Sequence, residues 1–376
     1  MKIFQNEYEY LVHLLVCALQ DRQPQELPKS FSFQKVFSYG KAHEVANIAF
    51  LSIEKLQNKP CEGLYKEWKT YHALSIRRHA NQMMARDAIV QALDKAAIRH
   101  MQVQGTLMKQ LYPQPYWRMM SDIDFIIDAE ALQAVEGVMQ SIGYTTVNPN
   151  GVEVDAQGKN GIFVELHSDF FAPTSVCYGS ITDPFSYGEP AQGYAYEASD
   201  TIFYLYNLLH IVKHFLQQGT GIRRIMDLYI MESKLSGSID RAYIQTVLQE
   251  SGYEAMAKKL LAVAQKWFAE AALEEDLSKE EALIFESNNH GTYQVSLKNE
   301  YNKASAEDQR FFKLKRYLAL LFPKKEDIYN AYPRCKRWKL PTLLCWIYRW
   351  VSICVHSKKR KYATSLLSNI SKTKIK

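Results

Sequence analysis

The chain has 376 residues, 47% hydrophobic and 23% charged, an ordinary globular composition. That length argues for two or three domains with sizeable cores. Its net charge of +6 is uneven: no acidic residue follows Asp327, while residues 328–376 carry twelve Lys and Arg, so the rest of the chain sits at −6.

The opening residues, MKIFQNEYEYLVHLL, carry charge through what would be the apolar core of a leader, so no secretory leader is expected and the cytoplasm is the expected compartment. Cys17, Cys61, Cys177, Cys335, Cys345 and Cys354 form no CxxC pair and no regular framework; reduced thiols and no zinc cluster are expected. Residues 1–97 read as an N-terminal helical domain, because KVFSYGKAHEVANIAFLSIEKL and KEWKTYHALSIRRHANQMMARDAIVQALDKAA repeat apolar residues every three or four positions. At Ile98 the pattern changes. IRHMQV reads as a short strand, QGT as a turn, LMKQL as a short helix and DIDFIID as a second strand. AEALQAVEGVMQSIG then reads as a helix stopped at Gly143, and YTTVNPNGVEVDAQGKNGIFVELHSDF as strands broken by NPNG and GKNG turns. This makes a mixed α/β core over 98–195. Helices resume at Ser199 with SDTIFYLYNLLHIVKHFLQQG and fill a helical domain over 196–285, leaving a C-terminal extension over 286–376. The polar stretch from about 275 to 310 reads as loops. The expected class is α+β, a small mixed sheet flanked by N-terminal and C-terminal helical domains.

In DIDFIID, strand alternation sends Asp122 and Asp124 to one face and Ile123, Phe125 and Ile127 to the core. Two carboxylates so close repel unless something positive lies between them, and an all-oxygen pair suits magnesium. The strand IFVELHSDF offers Glu165 as a third acid, with Phe163 and His167 beside it, and the QGT turn offers Gly105 and Thr106 as a backbone cradle for phosphate. Three acids and a phosphate cradle describe phosphoryl or nucleotidyl transfer: metal ions neutralise a triphosphate and align an incoming hydroxyl, and Glu165 either ligates metal or helps deprotonate the acceptor. A D-x-D pair alone is also common on solvated strand edges.

These residues resemble the nucleotidyltransferase superfamily with its polymerase-β-like fold. More closely, nearly the whole chain resembles a bacterial uncharacterised nucleotidyltransferase family found beside polysaccharide and secretion genes. VQGTLMKQLYPQPYWRMMSDIDFIID carries its pattern on Gly105, Tyr112, Pro113, Arg118, Asp122 and Asp124; VELHSDF matches its acid-x-His element at Glu165 and His167. LLHIVKHF and GIRRIMDL match its His-x-x-x-His helix and following Arg-x-x-x-Asp at His210, His214, Arg223 and Asp227. The resemblance implies transfer of a nucleoside monophosphate from an NTP to an unidentified acceptor hydroxyl or phosphate, with two Mg2+ ions on Asp122, Asp124 and Glu165. It departs at Gln104, where the family has lysine. Activity is then weaker, or Lys109 or Arg118 offsets the triphosphate charge instead, or turnover is lost and the chain binds nucleotide or a partner chain as a sensor, antitoxin or assembly factor.

His210 and His214 share a helix face with Lys213 between them, suited to nucleotide phosphates or simply to solvent; without the Glu of HExxH they do not suggest zinc. Arg223 and Asp227 lie one turn apart, either as a helix ion pair or as a phosphate-facing arginine and its orienting acid. Arg118 reads as a partner of the acids or a phosphate, or as a surface arginine. His167 either binds substrate or packs beside Glu165. In the tail LPTLLCWIYRWVSICVHSKKRK, the apolar stretch from Leu340 to Val355 is short for a bilayer span and contains Arg349. It fits a helix docked on the protein's own core followed by a frayed end, or one lying peripherally on the anionic inner membrane surface, with Lys358 to Lys361 alternatively contacting nucleic acid.

Overall fold

A run of 34 residues with no proline and one glycine, at its second position, builds the longest element. In the computed structural model this is α4 (Glu62–Lys95), about 50 Å long, and it buries Leu64, Trp68, Ser75, Gln82, Ala85, Ile89 and Leu93 along one stripe. Before it come α1 (Glu7–Leu19), α2 (Phe33–Ala42) and α3 (Ala46–Ile53); the chain turns between the last two at Glu44, whose φ is +56°. The structure describes residues 3–149, 153–173, 175–289, 291–332, 335, 337 and 340–373.

Next come β1 (His100–Gln102), α5 (Gly105–Leu111), β2 (Asp122–Ile127), α6 (Leu132–Ser141), β3 (Tyr144–Pro149), β4 (Glu153–Gly158), β5 (Phe163–His167), β6 (Gly188–Pro190) and β7 (Ala195–Ala198). They form one seven-stranded sheet in the order β3-β4-β5-β2-β1-β7-β6. The β2–β5 and β1–β7 pairs are parallel and the others antiparallel, so the sheet is mixed. On one face Ile123, Phe125, Ile127, Val164 and Leu166 meet Ala85, Ile89 and Leu93 of α4 and Val135 and Met139 of α6 in a single core. The polypeptide is 62% helical with 17 helices among the described residues, an α+β fold as expected.

After the sheet come α7 (Asp200–Gln217), α8 (Ile222–Leu235), α9 (Arg241–Glu250) and α10 (Glu254–Phe268). The stretch read as loops is helical instead: α11 (Ser278–Glu286), α12 (Tyr293–Lys303) and α13 (Ala306–Arg310). Partners distant in sequence explain the first. Phe285 stacks on Trp267, and Glu281 accepts hydrogen bonds from Trp267 and Lys266. Side-chain caps explain the other two, with Thr292 capping α12 and Ser305 capping α13. Then follow α14 (Phe312–Leu321), α15 (Lys325–Ala331), α16 (Thr342–Val355) and α17 (Ser357–Lys372). The end read as frayed is thus a helix over most of its length. Contacts divide the chain into two units, residues 1–215 with 220–289, and residues 216–219 with 290–376. The first holds the sheet. The second has two small apolar clusters, one around Leu297, Phe312 and Ile370, the other around Ile328, Cys335 and Cys345.

Lys109 of α5 is 1% exposed, donating to Gln82 Oε1 of α4 at 2.9 Å with His79 Nδ1 at 3.5 Å. Burial, and then Arg118, Arg78 and Arg223, push its pKa down from 10.5 to about 7. The unfolded chain keeps this proton up to about 10.5 and the folded chain only to about 7. Folding therefore releases a proton in that window, and stability rises with pH across it. Urea midpoints at pH 6.5 and 9.5 are expected to differ more in the wild type than in Lys109→Met, with the variant gaining most at the lower pH.

Candidate active site

The strands of a parallel pair lie about 4.8 Å apart, and residues opposite one another share a face. In the β2–β5 pair Asp124 stands opposite Glu165, Asp122 opposite Phe163 and Ile126 opposite His167. Asp122, Asp124, Glu165 and His167 thus share the face turned away from the core. On the other side of β5, β4 sets Asp155 opposite Glu165 and Glu153 opposite His167. Sequence reading placed those two residues on a strand but could not supply its pairing, and so passed over them as site residues.

His167 sits among these acids. Its Nε2 is 3.4 Å from Glu165 Oε2 and 3.8 Å from Asp124 Oδ1, and its Nδ1 is 3.2 Å from Glu153 Oε2. Burial alone would lower its pKa, but the neighbouring Asp124, Glu153 and Glu165 carboxylates hold it well above the usual histidine value. Asp124 is 4% exposed; burial and then the Asp122 charge push its pKa up to about 6, against the pull of His167. The positive group required among the carboxylates is therefore partly supplied by the chain itself. Asp124, Glu165 and His167 present ligand atoms all within 4.8 Å of one another, a spacing one cation can bridge. Asp122 adjoins that trio on the same strand face.

Gln104, at the β1–α5 turn, donates to Asp124 Oδ1 at 3.2 Å and to the Tyr206 hydroxyl at 3.0 Å. Its φ of +53° lies in the left-handed region, which a side chain adopts only where its surroundings hold it. The amide thus reaches the acids without adding charge. A lysine has the reach to put an ammonium there.

Cations face the acids from α7 and α8. His210 and His214 stack with centroids 4.6 Å apart and Nε2 atoms 2.7 Å apart, so at most one proton lies between them. His210 is held well below the usual value by burial, then by Lys213, His214 and Arg224. Lys213 is lowered by burial and Arg224, while Cys177, Glu165 and Asp124 pull it back up. Arg224 is pushed down to about 10 by burial, Arg223 and Arg118, against Asp227 and Asp122, and its buried Nε has no hydrogen-bond partner. Sequence reading chose Arg223 and missed Arg224. The two are adjacent in GIRRIMDL, and only packing decides that Arg223 pairs with Glu44 while Arg224 feels the charges of Asp227 and Asp122.

Arg223, read as phosphate-facing or paired with Asp227, instead donates to Glu44 and to the Met119 carbonyl. Asp227 instead takes Arg118 in two parallel bonds of 3.0 Å and the Tyr112 hydroxyl at 2.6 Å. Arg118 and Asp227, 7% and 2% exposed, are committed to each other. Arg118 is neither a surface arginine nor free for phosphate, and buried Lys109 faces α4, so neither stands in for the family lysine. Thr106 turns its hydroxyl to the Val103 carbonyl at 3.4 Å. A Cβ on Gly105 would lie 2.9 Å from Met120 Sδ and 3.1 Å from Arg118 Nη1, so a side chain here would have to displace the Met120 thioether. Where β2 and β5 begin, a cavity of about 440 Å³ is lined by Arg77, Arg78, Asn81, Ser121 and Asn160, among others, with no acidic side chain.

Removing one member of a buried ion pair strands its partner, at a cost of about 3–5 kcal/mol. Arg118→Ala is therefore expected to lower unfolding free energy by about that amount in urea titrations, whether or not nucleotide is present.

Among curated proteins, none matches the chain. A family model described as uncharacterised nucleotidyltransferase matches residues 29–269, a span that takes in the whole sheet with its acids and the helices α7 and α8 that bear Lys213 and Arg224. Having this match over well more than half its length, the chain belongs to the uncharacterised nucleotidyltransferase family.

Proposed function

We propose that the protein transfers a nucleoside monophosphate from an NTP to an acceptor hydroxyl or phosphate, releasing pyrophosphate, and that it uses Mg2+. The observation that carries this reading is the in-register placement of Asp124 and Glu165 on neighbouring parallel strands, with Asp122 beside them on the same face. The donor set fits the metal: carboxylate oxygens predominate, and the Asp124, Glu165 and His167 atoms are close enough to share one ion. Asp122, Asp124 and Glu165 would hold it, and when bound it neutralises polyphosphate charge and favours the departing pyrophosphate.

The chain's own residues do the rest. Gln104 fixes the Asp124 carboxylate through its amide and ties it to Tyr206. Lys213 and Arg224 place positive charge opposite the acids, the arrangement a triphosphate needs once its other side is met by metal. Arg118, Tyr112 and Asp227 act at one remove, fixing the segment that leads into β2. Glu165 is better exposed than Asp124 for taking the acceptor proton, with 40% of its side chain open against 6%.

Calorimetry with each NTP in millimolar Mg2+ is expected to show saturable binding of at least one, and a screen of acceptors to show turnover. In Asp124→Asn turnover is expected to fall on the order of 100-fold or more while the fold is kept. Nucleotide binding without turnover on any acceptor would favour a regulatory role instead, and no NTP binding at all would defeat both readings. Lys213→Ala and Arg224→Ala are each expected to weaken NTP binding about 10-fold or more without raising the Mg2+ requirement, a loss of roughly 1.4 kcal/mol.

A further inference from the structure

We propose that the C-terminal helices α16 and α17 form a surface that docks on anionic lipid. On α16 Leu343, Ile347, Val351 and Val355 recur every fourth residue and are 63%, 51%, 56% and 72% exposed, with Leu344 beside them. Of all its residues this helix fully buries only Cys345. A second stripe runs through Phe311, Leu314, Leu318 and Phe322 along α14, each 47% exposed or more. Among the described residues beyond Gly291, seven apolar side chains are buried against ten large ones left exposed, the reverse of a self-sufficient core.

Charge decides what covers these faces. Lys358, Lys359, Arg360 and Lys361 open α17 directly after the α16 stripe, and all four are exposed. Lys359 Nζ donates to Ser352 Oγ at 2.9 Å and Arg360 to the Cys354 carbonyl at 3.5 Å, so the cluster folds back on the end of α16 beside Val351 and Val355. Among the described residues no ion pair engages the four, and no carboxylate side chain follows Asp327. A nucleic acid would use the cations and leave the aliphatic stripe in water. An acidic headgroup layer over acyl chains uses both. No helix among the described residues is long and apolar enough to cross a membrane, so the fit is to a helix lying in the interface. One face of α16, through Cys345, Trp346 and Tyr348, docks on the small cluster around Ile328, as one sequence reading had it, and the aliphatic stripe is what that docking leaves bare.

The test is sedimentation of the full chain with vesicles of phosphatidylcholine alone, or mixed equally with phosphatidylglycerol. Binding is expected only to the mixed vesicles and is expected to weaken with salt. Each cation near such a surface contributes roughly five-fold, so replacing all four of Lys358, Lys359, Arg360 and Lys361 by Gln should weaken binding by roughly 600-fold. Ile347→Glu with Val351→Glu, at positions whose exposure leaves folding untouched, should abolish it. No binding to mixed vesicles, or binding indifferent to both variants, overturns the proposal. So does self-association in the ultracentrifuge that the Glu pair abolishes, or DNA binding that the Gln set abolishes and the Glu pair leaves intact.

Discussion

Repulsion between carboxylates on paired strands is the constraint around which the site is built. Strand register leaves Asp124 and Glu165 no freedom to separate, because moving either means breaking the β2–β5 ladder or turning its apolar neighbours out of the core. The surroundings answer that repulsion. His167 stands among three acids, Gln104 gives an uncharged hydrogen bond, and Lys213 and Arg224 face the acids from α7 and α8. The same concentration of charge makes the face suited to a metal and a polyphosphate, which bring opposite signs to opposite sides of it.

The core holds this face in place. Ile123, Phe125 and Ile127 alternate with the aspartates, so each carboxylate is flanked along the chain by side chains locked against α4 and α6. The segment entering β2 is clamped by the Tyr112–Arg118–Asp227 network, which ties it to α8, the helix that also carries Arg224. A buried arginine with both fork nitrogens satisfied is a rigid strut, whereas one facing solvent toward phosphate would be mobile. Arg118 and Asp227, which look like substrate contacts in a linear motif, are thus bound to each other behind the segment that enters β2.

Much of the fold was legible because period carries it. Alternation in DIDFIID gave the strand and its two faces, three- and four-residue spacing gave α4 and α7, and the third acid at Glu165 lay on a strand as read. What period cannot give is pairing. Nothing in a linear sequence sets Glu153 and Asp155 beside His167 and Glu165, and neighbouring Arg223 and Arg224 differ only in which way packing turns them. The helices over 278–310 were missed because aromatic contact and caps hold them and their own apolar pattern is weak. The tail was half legible: its charge was plain in the sequence, its exposed stripes only in the packing.

The central claim is that the shared face of Asp122, Asp124 and Glu165 is where metal and nucleotide meet. Crystals grown with Mn2+ and a non-hydrolysable NTP analogue, imaged at the manganese absorption edge, test it most directly. The account requires anomalous peaks within about 2.1 Å of carboxylate oxygens on those residues, with phosphates turned toward Lys213 and Arg224. Manganese or nucleotide bound elsewhere, with no anomalous peak beside those three acids, would contradict it.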